Sequence, residues 1–284
     1  MNSKFLPLII TISCMLFIFL LILMIFFILL KIDQINFKYI IPEFKRSSVC
    51  IPKIIYKTGP IKSNELPKDL VKIFNDTIEL NPDYKIKYFD DNMARIFIKD
   101  NFSKDILDAY DCLIPGAYKA DLFRYCILYK NGGVYSDLTQ QFYLPFSRII
   151  NNCYDRLVLV KDIEKINYNF KIAIQINFIA TIPKQKIFKL AIDKIVFNVK
   201  NKYYGLNSLE PTGPSLFRKC FDQIKPKYRM EIVFRKISNK INGTGGYIFN
   251  TNELVYTNKA LIHEKYIKSK VHYGKLWKSR KIYK

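Results

Sequence analysis

Residues 120–137 read ADLFRYCILYKNGGVYSD, and this stretch decides the predicted fold. Its first part has helical spacing, and it puts Asp121 and Arg124 three positions apart on one helix face. Asn131 and the two glycines after it predict the end of this helix, because glycine reaches left-handed backbone angles at little cost. A short strand then carries Asp137 to its carboxyl end, which is the edge of an open α/β sheet where ligands bind.

Two interpretations of this stretch follow from the residues alone. In the first, an acid and a base on the helix, a glycine hinge and a strand-end carboxylate meet in one ligand-binding crevice. In the second, the stretch is an ordinary helix, turn and strand with a surface ion pair, since glycine turns of this kind are common. Spacing leaves both interpretations open.

A resemblance favours the first interpretation. The stretch is similar to glycosyltransferases with a DXD sugar-binding region, in particular yeast Golgi α-1,6-mannosyltransferases and inositol-phosphoceramide mannosyltransferases. Their pattern is an Ala/Ser-Asp-x-x-Arg-Tyr helix followed by Gly-Gly-x-Tyr-x-Asp-x-Asp, and residues 120–125 and 132–139 here read ADLFRY and GGVYSDLT. Other segments resemble the family in the same order, namely IPKIIY at 51–56, NPDY at 81–84, YFDD at 88–91, PTGP at 211–214, and HYG at 272–274 with Trp277. Thr139 departs from the pattern, because it stands where the family has its second aspartate.

The resemblance implies an α/β, Rossmann-like GT-A catalytic domain. It also implies that a hexose moves with retention of configuration from GDP-mannose or a UDP-sugar to a glycan or glycolipid acceptor. Mn²⁺ is the implied cofactor, and Asp137 and His272 are its implied ligands. Thr139 is expected to weaken Mn²⁺ binding, because it offers a hydroxyl in place of an anion. No catalytic nucleophile is predicted. The predicted donor-sugar site comprises Asp121, Arg124, Asp137, Tyr56, Gly133, Tyr135, Asn177, Thr212, Gly213 and Trp277.

Several of these residues have a structural alternative. Asp121 and Arg124 form an i,i+3 pair that could be a salt bridge worth a few tenths of a kcal/mol. Tyr56 could stack on a nucleobase or pack in the core, and Trp277 could close over the sugar or seal the core. A lone histidine near the end of the sequence, His272, could equally be a surface residue.

A second functional class also remains open. Thr139 supports a fold relative that has lost catalysis and only binds glycans or partners. A membrane-tethered polyanion-binding protein is a third possibility, because the formal net charge is +22. That charge is spread along the chain without a basic block interleaved with aromatic residues, so nucleic acid is not a predicted partner.

The amino-terminal segment predicts a membrane anchor. Residues 5–30 contain no charged residue and exceed the roughly 20 residues needed to cross a bilayer. We therefore predict a signal-anchor at 1–30, a stem at 31–50 and the catalytic domain at 51–284. The lysines and arginine that follow the span favour a cytoplasmic domain by the positive-inside rule. The family resemblance implies the reverse, a single-pass type II protein of the Golgi or ER with a lumenal domain.

The soluble part predicts alternating strands and helices, and hence a largely parallel sheet covered by helices. The cysteines have no Cys-x-x-Cys spacing, so zinc is not predicted, and no disulfide pair can be named. The predicted strands are 51–57, 85–89, 134–136, 157–160 and 172–181, and the predicted helices are 66–80, 92–102, 104–112, 120–131, 186–199 and 215–224. Beyond residue 231 only a glycine-rich turn is indicated.

Overall fold

The computed structural model describes residues 15–17, 19–24, 49–162, 174–224, 229–236, 244–248, 251–258 and 271–284. The chain divides into two compact units, Met1–Arg46 and Ser47–Lys284. In the first unit the described residues are helical and mostly expose apolar side chains. No helix within the described residues is both long and apolar enough to cross a membrane. Most of the predicted anchor at 1–30 and stem at 31–50 lies outside the described residues.

The second unit alternates strands and helices, as the sequence predicts. Its first part contains β1 (Ile54–Gly59), α1 (Lys68–Leu80), β2 (Lys85–Asp90), α2 (Asp91–Asn101), α3 (Lys104–Cys112), α4 (Gly116–Asn131), β3 (Gly133–Ser136) and β4 (Gln140–Phe142). Its second part contains β5 (Leu157–Lys161), β6 (Ile174–Thr181), α5 (Lys186–Lys200), α6 (Pro214–Ile224), β7 (Arg229–Lys236), β8 (Thr244–Ile248), β9 (Leu254–Asn258) and α7 (Tyr273–Lys278). The α/β class and the central sheet are thus confirmed.

The nine strands form one sheet in the order β2-β1-β3-β6-β5-β7-β8-β9-β4. Pairing is parallel for β1 with β2, β1 with β3 and β5 with β7, and antiparallel for the other pairs. The predicted largely parallel sheet is therefore wrong, because the sheet is mixed. Parallel neighbours need a crossover of a dozen or more residues. The links from β7 to β8 and from β8 to β9 are too short for one, so these strands pair as hairpins.

Side chains alternate between the two faces of the sheet, and each face buries its own apolar layer. One layer packs under α2 to α6 and includes Tyr56, Tyr135, Leu157, Leu159 and Ile179 from the strands. The opposite layer includes Ile55, Val134, Val158, Val160, Phe178 and Ala180. Aromatic side chains at the end of β4 and just after it close this second layer, with the Phe142 and Phe146 rings 4.9 Å apart and edge to face.

A disulfide joins Cys50, just before β1, to Cys153, just before β5. A backbone hydrogen bond of 2.6 Å from the Ile51 amide to the Asn152 carbonyl runs beside it. Sequence spacing did not identify this pair, because the two cysteines lie 103 residues apart and meet only through the sheet. Cys126 is fully buried in the helix-covered layer, as its place on the apolar helix stripe indicates.

Candidate donor-binding site

Two consecutive glycines make the turn from α4 into β3. Gly132 and Gly133 have φ angles of +66° and +93°. A Cβ on Gly133 would lie 2.8 Å from the carbonyl oxygen of Ile54 and 2.9 Å from a ring carbon of Tyr56, so the position accepts no side chain. This close approach lets β3 pair directly with β1. Asp137 consequently leaves the sheet at the carboxyl edge that β1, β2 and β3 share.

The Arg124 guanidinium connects the two predicted carboxylates. Its Nη1 lies 3.2 Å from Oδ1 of Asp121, one turn earlier on α4, and its Nη2 lies 3.1 Å from Oδ1 of Asp137. Nη2 also donates to the Tyr135 hydroxyl at 3.1 Å, while the guanidinium carbon lies 4.3 Å from the centre of that ring. The helix, the glycine turn and the strand end therefore bring four predicted site residues into one cluster.

Exposure within this cluster rises towards one side. The side chain of Arg124 is 6% exposed, that of Asp121 is 12% exposed and that of Asp137 is 40% exposed. A ligand can therefore reach the Asp137 carboxylate and the edge of Asp121, while the arginine stays behind them. Each carboxylate has about four acceptor positions, so the ion pairs leave capacity for hydroxyl groups.

The loop before α6 supplies a further contact to Asp121. The buried Thr212 hydroxyl donates to Oδ2 of Asp121 at 2.8 Å. Gly213 lies close by, because a Cβ built on it would be 3.4 Å from the same oxygen. The Gly213 amide, however, donates to the Leu209 carbonyl at 3.1 Å. The Gly213 amide is thus bonded within the chain, which folds back on itself before the helix begins.

Burial controls the protonation of the cluster. It raises the pKa of Asp121 to about 6, while the charge of Arg124 and the hydrogen bond from Thr212 act in the opposite direction. Burial alone would lower the pKa of Arg124, but Tyr135 and the two carboxylates raise it above its ordinary value. Asp121 is therefore ionised at neutral pH and becomes neutral as the pH falls below about 6.

Lys57 is a site-proximal residue that the sequence analysis missed. It is fully buried, and its ammonium donates to the Ser136 hydroxyl at 2.9 Å and to the Asp137 carbonyl at 3.0 Å. Burial lowers the pKa of Lys57 to about 7, and the charge of Asp137 opposes that change. The available signal was strand alternation, because Lys57 follows the inward-facing Ile55 at a spacing of two.

Tyr56 and Asn177 form part of the wall behind the cluster. The Tyr56 ring packs against Gly133 in the buried layer, and its hydroxyl shares a hydrogen bond with the Asn131 side chain, which fits the core interpretation of this tyrosine. The Asn177 carbonyl accepts from the Asp137 amide at 2.9 Å, and its Oδ1 accepts from the Tyr256 hydroxyl at 3.2 Å. Asn177 thus fixes the backbone of Asp137, and its own side-chain oxygen is already satisfied.

His272 and Trp277 lie at the two ends of α7. Nδ1 of His272 accepts from the Gly274 amide at 3.1 Å and caps the helix, although the side chain is exposed. The Trp277 indole donates to the Tyr204 carbonyl at 2.6 Å, and its ring packs against the helix-covered core. The core interpretation therefore accounts for Trp277 in this structure.

Helix α7 nevertheless lies near Asp121. The Tyr273 ring is 5.9 Å from that of Tyr118, which is on α4 one turn before Asp121. Burial and, after it, the negative charge of Asp121 raise the pKa of Tyr273. The segment that contains His272 therefore borders the cluster.

Comparison with known proteins identifies this stretch. Residues 67–154 match the family described as glycosyltransferase sugar-binding region containing DXD motif, and they include α4, the glycine turn and Asp137. The matched stretch therefore resembles a DXD-type sugar-binding region. Within it the motif reads Asp137-Leu138-Thr139, so it has one of the two carboxylates of the DXD pattern.

Proteins with sequences or structures similar to this chain are named as glycosyltransferases or mannosyltransferases. The chain is 38% identical over 110 residues to inositol phosphoceramide mannosyltransferase 3 of Schizosaccharomyces pombe, covering 39% of this chain and 29% of that protein. It is 31% identical over 124 residues to initiation-specific alpha-1,6-mannosyltransferase of Candida albicans, covering 42% and 31%. The chain thus spans less than a third of the length of these two relatives. A solved structure, the PaToxG glycosyltransferase, is 16% identical with a TM-score of 0.46, covering 62% of this chain and 71% of that one.

The residues of the matched stretch and His272 do not fit the predicted Mn²⁺ site. Within the part of the chain that the structure describes, no three His, Cys, Asp or Glu side chains lie close enough together to hold a metal ion. Asp137 is bound to Arg124, Thr139 contributes only a buried hydroxyl, and Nδ1 of His272 is occupied by its helix cap. Mn²⁺ prefers several anionic or neutral oxygen ligands in an open arrangement, which this donor set does not supply.

Proposed function

We propose that this protein is a glycosyltransferase with a GT-A type domain that transfers a hexose from a nucleotide sugar. GDP-mannose or a UDP-sugar is the proposed donor, and a glycan or glycolipid is the proposed acceptor. One observation carries the proposal: Arg124 links Asp121 and Asp137 in a single cluster within a DXD-type sugar-binding region. The names of the relatives, which are mannosyltransferases, support the hexose and the two acceptor classes.

In the proposed role, Asp121 and Asp137 accept hydrogen bonds from the hydroxyl groups of the donor sugar. Arg124 holds both carboxylates at fixed positions, and Thr212 orients the second oxygen of Asp121. Fixed acceptors in a partly buried site cost little reorganisation when the sugar–phosphate bond breaks. For a retaining transfer, the departing phosphate would assist the acceptor hydroxyl on the same face of the sugar, with no protein nucleophile.

A transfer assay tests the proposal. The purified chain is incubated with GDP-mannose and with a panel of UDP-hexoses, with inositol phosphoceramide or a mannose-containing glycan as acceptor. We expect transfer or hydrolysis with one donor, and a roughly 10- to 100-fold loss in Asp121→Asn, because hydrogen bonds to a charged group contribute about 1.5–3 kcal/mol. Asp111→Asn is the matched control, since it alters a carboxylate–arginine pair with Arg95 outside the cluster. Equal activity of the two variants would refute the assigned role of Asp121.

Thr139 favours a second candidate, a fold relative that binds glycans or partners without transfer. It removes one carboxylate from the family motif, although it leaves the Asp121–Arg124–Asp137 cluster intact. The same assay separates the two functions. Binding of a nucleotide sugar or glycan without turnover of any donor would select the binder.

For the cellular location, we propose a single-pass membrane protein whose domain faces an oxidising lumen, as in the Golgi or ER. Residues 5–30 supply the proposed anchor. The Cys50–Cys153 disulfide supports the lumenal side, because such bonds persist in oxidising compartments and are rare in the cytosol. Protease added to sealed microsomes should leave the domain intact, and cleavage of the domain without detergent would reverse the proposed orientation.

A further inference from the structure

The segment that carries the DXD-type motif is held from behind by one buried side chain. Lys57 Nζ donates to the Ser136 hydroxyl at 2.9 Å and to the Asp137 carbonyl at 3.0 Å. The Ser136 hydroxyl in turn donates to Oε1 of Gln140 at 2.9 Å. These bonds fix residues on both sides of Thr139. The main chain of the motif therefore has a defined position before any ligand arrives.

The side chain of Asp137 in the motif is fixed by a buried arginine. Arg124 binds Oδ1 of Asp137 at 3.1 Å from the opposite side of the segment. Asp137 is thus flanked by Arg124 and Lys57, and the family's other carboxylate is replaced by Thr139. Relative to the family pattern, the motif has lost one negative charge and stands next to two basic groups. Like charges repel, so this arrangement disfavours the further approach of a divalent cation.

We propose that Lys57 is a positioning residue for donor binding and that this site binds its nucleotide-sugar donor independently of divalent cations. Lys57 holds the 136–140 segment in the conformation that a metal ion would otherwise impose through two carboxylates. Arg124 provides the fixed positive charge from within the protein. The inference rests on the proposed function, because it concerns the donor site of that function.

Calorimetric titration of the purified full chain with GDP, GDP-mannose, UDP and UDP-glucose tests the inference, each in EDTA and in MnCl₂. We expect the affinity of the nucleotide that binds to differ by less than about threefold between the two conditions. A loss of about tenfold or more in EDTA would overturn cation independence while leaving the proposed function in place. If none of the four ligands binds in either condition, the proposed function fails and this inference fails with it.

The role of Lys57 is tested by Lys57→Met, which keeps the length and apolar contacts of the side chain and removes both hydrogen bonds. We expect donor affinity in EDTA to fall about tenfold. Adding Thr139→Asp to Lys57→Met should then restore donor affinity only when Mn²⁺ is present. If Lys57 were needed only for folding, the second carboxylate and Mn²⁺ would not restore donor affinity. Lys72→Met, which alters an exposed lysine paired with Asp76 on α1, is the control and should leave affinity unchanged.

A milder variant keeps the test decisive if Lys57→Met does not fold. Ser136→Ala removes one of the two acceptors of Lys57 and leaves the lysine in place. We expect it to weaken donor binding by about threefold in EDTA and in Mn²⁺ alike. Unchanged affinity in Ser136→Ala, or a double variant that gains nothing from Mn²⁺, would overturn the positioning role.

Discussion

Replacing Asp121 with asparagine should make the protein more stable while weakening its proposed ligand binding. The carboxylate is buried, and its pKa rises from 3.8 to about 6 in the folded protein. At about 1.4 kcal/mol per pKa unit, ionised Asp121 therefore costs the native state about 3 kcal/mol relative to the neutral form. This cost already includes the attraction of Arg124, which acts in the favourable direction.

Asparagine reproduces the neutral form in both contacts of Asp121. Its carbonyl oxygen can accept from Arg124, and its amide can donate to the Thr212 hydroxyl, which accepts as readily as it donates. Arg124 remains paired with Asp137. We therefore expect Asp121→Asn to raise the free energy of unfolding by about 3 kcal/mol at neutral pH and the melting temperature by about 6–12 °C.

The pH dependence of the stability difference between the two proteins shows whether the buried charge of Asp121 causes it. A carboxyl with a raised native pKa binds more protons in the folded than in the unfolded protein between about pH 4 and pH 6, so its contribution to stability falls as the pH rises through that window. Urea unfolding of both proteins should give equal stability near pH 4 and a difference that reaches its full size above pH 6. A less stable variant at neutral pH, or a difference that does not change with pH, would refute the reasoning.

Three further changes should have measurable effects. Gly133→Ala should lower the free energy of unfolding by at least about 2 kcal/mol in urea, because its φ of +93° and its contacts exclude a Cβ. Reduction of the disulfide between Cys50 and Cys153, which lie 103 residues apart in sequence, should cost about 5 kcal/mol in the same measurement. Donor affinity should fall as the pH drops below about 6, because Asp121 must be ionised. Thr212→Val should move that fall to higher pH, since it removes a bond that lowers the pKa of Asp121.

Each of these changes has a matched control. Gly116→Ala adds a Cβ with no atom within 4 Å and should not destabilise the protein. Cys112→Ser alters a cysteine outside the disulfide, and the reductant should still destabilise this variant. Thr77→Val removes a buried hydroxyl that bonds to the Ile73 carbonyl, away from the cluster, and should leave the pH profile of donor affinity unchanged. Gly116→Ala or Thr77→Val behaving like its test variant would contradict the site-specific explanations, and so would a Cys112→Ser protein that the reductant no longer destabilises.

Sequence signals that act over a few residues correctly predicted the helix–turn–strand unit at the centre of the candidate site. The pattern of residues 120–137 was sufficient for α4, its glycine stop and β3, because helix spacing and glycine conformation act within a few residues. The Asp121–Arg124 contact also followed from i,i+3 spacing. By contrast, β7 to β9 were not predicted, because their pairing depends on neighbours in the sheet.

Contacts between distant segments could not be read from the sequence. Thr212 reaches Asp121 across 91 residues, and Lys57 reaches Ser136 across 79. Neither segment contains a local signal for its partner, because the sheet and the loop before α6 determine both distances. A buried lysine is also costly, so residue type alone argues against placing Lys57 inside.

These distant contacts explain why the candidate site is complete only in the finished fold. The ionised Asp121 is offset by Arg124 from its own helix and by Thr212 from the loop before α6. That loop is itself held by Glu210, which accepts from the Leu206 amide at 2.8 Å and from the Tyr203 hydroxyl at 2.7 Å. Without the Thr212 hydroxyl that this loop supplies, the buried carboxylate would lose a bond that favours its charge and would remain protonated to higher pH. The finished fold therefore sets the protonation of Asp121, because burial disfavours its charge while Arg124 and Thr212 keep the carboxylate ionised at neutral pH.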